Sequence, residues 1–480
     1  MRAAVPSTLL VLALGALAPA PTGGQEYYRD IRPLLAKRCA GCHSDAGVAF
    51  SMEDAEATFR RRRAIAEAML DRKMPPWLAE PGHQRYVGDL SLDDEQLATV
   101  TRWAESGYPK GEPREAVAAN GDRIFGRAYD RGFTTDLSLD VLAGRPYLPD
   151  QERPDDYRCF VVDWPAERPA YVTGFRAVPG NLRVAHHVVV HAVDADMVDR
   201  YRELDEAEDG PGYQCFGGAV PDRLGERAER DAYEARHPDG VAELSRGSFW
   251  LAHWAPGMDG HTFPEGTGIP LEPGAALVVQ MHYYSRHAPG EADQASRVDF
   301  QVAEHVERPA FHLPQTREAW LESDENGSMV VPPLGRATYE VSENLGDLLP
   351  YLARVTGVDE ERVERVEVHS ANLHMHGFGH SGVITLTDTD GRKQTLLSVP
   401  SWNLAWQRDF TFAEPKVFGA DELDGTYITV ECTFENTTDR VVYGGYGSDE
   451  EMCFNFSYIA VQALPDATDG SSPRGRGPGS

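Results

Sequence analysis

From residue 136 onward the chain advances in short runs of β-branched and aromatic residues, cut at regular intervals by Gly, Pro and Asp. Ala170 to Phe175, Ala185 to Ala192, Ala276 to Tyr284, Gly382 to Thr387 and Tyr427 to Phe434 are examples. Runs of this length between turn residues are too short for long helices and predict β-sandwiches. The 45 Gly and 33 Pro among 480 residues favour the same turn-rich architecture. A soft break near Glu307-Arg308-Pro309 divides the stretch into two all-β, jelly-roll-like sandwich domains, 136–305 and 312–464. Residues 194–246 interrupt the first with an acidic, helix-compatible insertion (Asp194 to Glu208 and Asp222 to Arg236), and 465–480 reads as a disordered tail.

The N-terminal part differs. Residues 26–113 read as a small all-α domain, joined by a linker over 114–135. Tyr27 to Arg38 predicts a helix with Ile31, Leu34 and Leu35 on one side. Ser91-Leu92-Asp93-Asp94 looks like a capping-box start for a second helix carrying Leu97, Val100 and Trp103 and ending at Gly107. Between them stands Cys39-Ala40-Gly41-Cys42-His43, the spacing used to attach haem c. Cys39 and Cys42 would form the two thioethers and His43 one axial ligand. Met74, held in the stiff loop Lys73-Met74-Pro75-Pro76-Trp77, is the expected second axial ligand, with Met52 and Met69 as competitors. The unit resembles a small cytochrome c domain, built to carry single electrons.

Residues 1–20 predict a signal peptide: Arg2, an apolar stretch from Leu9 to Leu17, then Ala18-Pro19-Ala20. No segment is long and apolar enough for a membrane span. The expected location is periplasmic or secreted, where cysteines pair. Cys159, Cys215, Cys432 and Cys453 remain after the haem motif and allow three pairings. Cys159–Cys215 and Cys432–Cys453 are favoured because each stays inside one proposed domain. A formal charge of −30 repels nucleic acid and anionic lipid, and serves solubility first.

The remaining chemistry is in histidines and one sulfur. His374 and His376, two apart on a β-type run, direct both rings to one strand face. Met452, beside Cys453 in a hydrophilic stretch, is an odd place for a core residue, and two imidazoles with a thioether suit copper. His186 and His187 are adjacent, so a regular strand would send them to opposite faces. Sharing a metal would need a strand end or a local kink, with His282 as third ligand and Gln280 hydrogen-bonding nearby.

With those residues in order, the chain over about 155–462 resembles the copper type II, ascorbate-dependent monooxygenases, the group of peptidylglycine α-hydroxylating and dopamine β-monooxygenases. The resemblance implies two β-sandwich domains with one copper each, held by His186, His187 and His282 and by His374, His376 and Met452. Tyr157-Arg158-Cys159 matches a Tyr-x-Cys element ahead of the His-His pair, placing Tyr157 near the first site, and Trp254-Ala255-Pro256-Gly257 and Trp406-Gln407 are also similar. Where amidating members carry Arg, Asn and Tyr, this chain has Asn372, Phe454 and Phe456. A carboxylate anchor is therefore missing, which argues against a peptidylglycine substrate and for a more apolar or aromatic one. The implied function is hydroxylation of a C–H bond of a small organic substrate with O2, at His374, His376 and Met452. Electrons would come from ascorbate or a periplasmic donor through the fused haem to the first copper. The alternative is a non-catalytic copper and haem electron carrier or copper-handling protein.

Overall fold

The computed structural model describes residues 24–40, 42–43, 49–113, 133–152, 155–215, 218–220, 235, 244, 246–255, 258, 260–321, 329–445 and 449–465. The expected leader, most of the 114–135 linker, nearly all of the second insertion helix and the tail from 466 lie outside these residues.

The described chain is mostly β-sheet with few helices, and each β-type run named above is a strand: Ala170–Val178, Ala185–Val193, Ala276–Tyr284, Gly379–Thr387 and Tyr427–Glu435. A five-stranded antiparallel sheet runs in the order Tyr213–Gln214, Asp155–Asp163, Ala276–Tyr284, Ala185–Val193, Ser248–Trp254. A four-stranded sheet follows the order Arg336–Asn344, Tyr427–Glu435, Gly379–Thr387, Lys393–Val399. Both face one ten-stranded sheet that spans the two halves. Its two portions meet where Arg308 and Pro309 pair in parallel with Thr267 and Gly268. The apolar core is continuous across that junction, running from Val172 and Phe300 to Phe311, Ile459 and Phe434.

Why these segments are strands is legible in their burial. Ala276–Tyr284 is buried at nearly every position, because both its faces are covered. Tyr427–Glu435 alternates, with Ile428, Val430, Cys432 and Phe434 inward. Cys159–Cys215 and Cys432–Cys453 form the two expected disulfides, with Cα–Cα separations of 5.7 and 5.8 Å. The second bridges only 21 residues, worth about 3 kcal/mol in the chain-entropy view, and ties Cys453 to the Tyr427–Glu435 strand. The acidic insertion contributes the helix Val198–Glu206, which packs Val198, Tyr201 and Leu204 over the first disulfide.

The N-terminal unit has its own core of Tyr27, Ile31, Leu35, Val100 and Trp103. Tyr27 to Arg38 is a π-type turn, Tyr27–Ile31, leading into the α-helix Arg32–Arg38. The helix Asp94–Glu105 starts with a capping box between Asp93 and Gln96, and Gly107 ends the turn at φ +84°. The segment after the Met74 loop leaves this core and binds the second sandwich. The Glu80 and Val87 N–H groups donate to the Ser398 and Thr411 carbonyls at 2.8 Å, and Tyr86 Oη–H donates to Leu396 O at 2.8 Å. Among the described residues, no helix is long and apolar enough to cross a membrane.

Candidate metal centres and the cavity between them

The first histidine group depends on an irregularity. The pairing of Ala185–Val193 with Ala276–Tyr284 passes from Ala185↔Tyr283 directly to His187↔His282, so His186 is an extra residue. Such a bulge re-aims a side chain. Both adjacent rings thereby reach one point: His186 Nδ1 and His187 Nδ1 each lie 3.1 Å from His282 Nδ1. His282 Nε2–H donates to Asp155 Oδ1 at 2.8 Å, which leaves the His282 Nδ1 lone pair facing the other two rings. Nitrogens bound to one metal at about 2.0–2.1 Å in tetrahedral directions stand roughly 3.3 Å apart, close to this spacing. The three rings form the His, Cys and carboxylate group able to hold a metal ion among the described residues. Burial lowers the pKa of His186, and burial followed by neighbouring imidazoles lowers those of His187 and His282 well below 6.5. Neutral imidazole is the form that binds metal.

Tyr157 stacks on His282 with centroids 4.0 Å apart and planes 6° from parallel. Gln280, expected to serve the rings, is turned toward the loop: its amide N–H donates to Gly218 O at 2.8 Å and lies 3.6 Å from Cys215 Sγ.

The second group is assembled differently. Leu373–His374 pairs with Phe454–Asn455, and His376 lies just past the strand end in the turn that follows. The rings of His374 and His376 still face each other, 5.3 Å apart and perpendicular. His374 Nδ1–H donates to Gln407 Oε1, whose orientation is set by Gln407 Nε2–H donating to Leu404 O. His376 Nδ1–H donates to the Glu450 carbonyl at 3.0 Å. Carbonyl oxygens only accept, so each ring carries its proton on Nδ1 and its lone pair on Nε2. Burial, followed by the His376 ring, pushes His374 down to about 3. Met452, almost fully buried, follows Glu451, whose carboxylate accepts the N–H groups of His376, Phe378 and Met452.

Both groups contribute to the lining of one cavity, the first through His187. Its lining also includes His374, His376 and Met452, together with Trp250, Phe454 and Phe456. Phe454 and Phe456 are stacked, 5.4 Å apart and 8° from parallel. Asn372 also lines it, with an amide N–H donating to Asp409 Oδ1 at 3.0 Å.

A second cleft lies in the helical unit. Cys39, Cys42, His43, Met52, Met69 and Met74 line it, and neither cysteine is in a disulfide. His43 Nδ1–H donates to Phe50 O at 2.8 Å, leaving Nε2 free. Met52 and Met69 are part of the helical core, whereas Met74 is only half-buried on its loop.

Asp155, Gln407, Glu450 and Glu451 were not identified as site residues from sequence. Trp406-Gln407 stands out in the sequence only as a similar dipeptide, with no role attached. A Glu directly before the singled-out Met452-Cys453 was the one available signal for Glu451.

Residues 358–465 match the family model described as copper type II ascorbate-dependent monooxygenase, C-terminal domain. The match contains His374, His376, Gln407, Glu451 and Met452, and at the coarse level it gives this part of the chain the character of a copper monooxygenase. No curated protein matches the chain. Among solved structures it is similar to a peptide-N(4)-(N-acetyl-β-D-glucosaminyl) asparagine amidase, at 6% identity over 68% of this chain and 97% of that one, TM-score 0.28. It is similar also to PNGase F, a glycosylasparaginase from Flavobacterium meningosepticum (10% identity, 68% and 95% covered, TM-score 0.26). The major capsid protein P2 of bacteriophage PM2 matches at 8% identity, 69% and 98% covered, with TM-score 0.22. Likeness at these scores carries no argument about activity.

Proposed function

We propose that the protein is an exported, periplasmic or secreted, copper-dependent monooxygenase. It hydroxylates a C–H bond of a small organic substrate with O2, and receives electrons through a covalently attached haem c. The observation that carries this reading is one cavity lined both by His187, of the His186–His187–His282 group, and by His374, His376 and Met452.

The donor sets fit the groups. His186, His187 and His282 would hold one copper through Nδ1, and His374, His376 and Met452 the other through two Nε2 atoms and sulfur. The soft thioether suits the reduced ion. Cys39 and Cys42 would carry the haem thioethers, with His43 and Met74 as axial ligands. Bound copper supplies one-electron redox chemistry and activation of dioxygen. The chain's own residues orient and shield. Asp155, Gln407 and the Glu450 carbonyl fix which nitrogen each ring presents. Met452 leaves the site short of a full shell, so a further ligand has room. Trp250, Phe454 and Phe456 give the substrate aromatic walls and exclude water. Asn372 donates to Asp409 and offers no cation to a carboxylate, which favours an apolar or aromatic substrate.

The test is a screen of small aromatic and aliphatic compounds with copper- and haem-loaded protein, ascorbate and 18O-labelled dioxygen, read by mass spectrometry. One labelled oxygen atom per product is expected. Redox turnover without any labelled product would make the protein a carrier instead.

A further inference from the structure

We propose that Trp406 and Gln407 bridge the haem cleft to the His374 ring, so that electrons enter at the His374–His376–Met452 site rather than at the His186–His187–His282 site. The proposal rests on the functional reading above and adds its internal route. Trp406 lines the cleft of the helical unit beside Cys39, Cys42, His43 and Met74, and among the described residues is the one lining residue contributed by the second sandwich. Its chain neighbour Gln407 accepts the His374 Nδ1 proton. The cleft and the imidazole are thus separated by two consecutive residues and one hydrogen bond.

The surrounding packing holds this connection in place. Arg408 lies over the Trp77 ring at 5.4 Å, and Trp77 meets Phe410 edge-on at 5.1 Å. The 406–410 stretch is therefore clasped by the loop that carries Met74. The Glu80 and Val87 hydrogen bonds to Ser398 and Thr411 fix the helical unit on the second sandwich. No residue of the helical unit lines the shared cavity beside His187, so among the described residues nothing comparable leads to the other group. With haem and copper bound, the exchange would be of one electron, ferrous to ferric at the haem and cupric to cuprous at the metal held by His374, His376 and Met452. An external one-electron reductant restores the haem.

The experiment uses the full chain loaded with haem and copper. Fully oxidised protein is mixed without oxygen with a limiting amount of dithionite, and the decay of ferrous-haem absorbance is followed. In Trp406→Ala the decay should slow by roughly tenfold or more, equivalent to about 1.4 kcal/mol on the barrier. Trp406→Phe should restore it, and the haem midpoint potential and copper content should stay at wild-type values. Gln407→Leu, which lies outside the cleft, should slow it as well and guards against a packing defect in Trp406→Ala. A wild-type decay rate in either Trp406→Ala or Gln407→Leu overturns the bridge. Protein that binds no haem or no copper overturns the functional reading itself, and the bridge with it, and is recognised beforehand from its absorbance and metal content.

Discussion

Glu451 is the residue on which the second group should depend most, although it would touch no metal. It is fully buried, and its carboxylate accepts N–H groups from His376 at 2.9 Å, from Met452 at 3.2 Å and from Phe378. One side chain thus fixes the backbone at two proposed ligands that are 76 positions apart in sequence. Replacement by Ala strands three buried donors, each costing about 1–3 kcal/mol when left unpaired. Water entering the vacated space recovers part of this, which leaves an expected cost of about 3–6 kcal/mol. Against a typical stability of about 5–15 kcal/mol that is large. The loss should be local first, because Cys432–Cys453 still ties the segment to its neighbouring strand. Hydrogen exchange on copper-free protein should show faster exchange at 376–379 and 450–453 than in wild type, with the five-stranded sheet unchanged. Copper affinity at this site should fall by roughly 10–100-fold, the usual effect of removing a residue that orients ligands. The reasoning is refuted if Glu451→Ala keeps those amides protected and unfolds within about 1 kcal/mol of wild type.

Three further outcomes are expected. Met452→Ala should abolish hydroxylated product in the labelled-oxygen assay while the haem is still reduced by dithionite. Asp155→Asn removes the carboxylate that selects the His282 tautomer, and should weaken copper binding at the first group by roughly tenfold in a competition titration. His312 is buried, and neither ring nitrogen has a hydrogen-bond partner among the described residues. Burial depresses its pKa from 6.5 to about 3. The unfolded chain therefore takes up a proton below pH 6.5 that the fold refuses, and stability present above 6.5 is lost as pH falls toward 3. By pH 4.5 the loss is about 2–3 kcal/mol from this group alone. His312→Leu should flatten that acid limb in urea titrations and be no less stable at pH 7. An unchanged acid limb would show that the ring does not cause it.

The strands were legible because burial writes itself into the chain as runs and alternation; Tyr427–Glu435 and Ala276–Tyr284 could be read within a residue or two of their ends. The cysteine pairing was legible because each pair lies within one sandwich. The six candidate metal ligands were identifiable by residue type and order. What holds them was not. A bulge at His186 is a matter of pairing with a strand about 90 positions away, and nothing local to His186-His187 announces it. Asp155 reaches His282 across 127 positions and Glu451 reaches His376 across 75. Such partners are ordinary acids in sequence and become specific only once the sheets bring them together. Gln280 shows the reverse: its strand face suggested a role at the rings, but the Gly218 loop competes for its amide.

The most direct measurement is the metal content of purified full-length protein after copper loading and exhaustive dialysis. Two coppers and one iron per chain are predicted, falling to one copper in His187→Ala and in His374→Ala. Protein that retains no copper would contradict the account at its root.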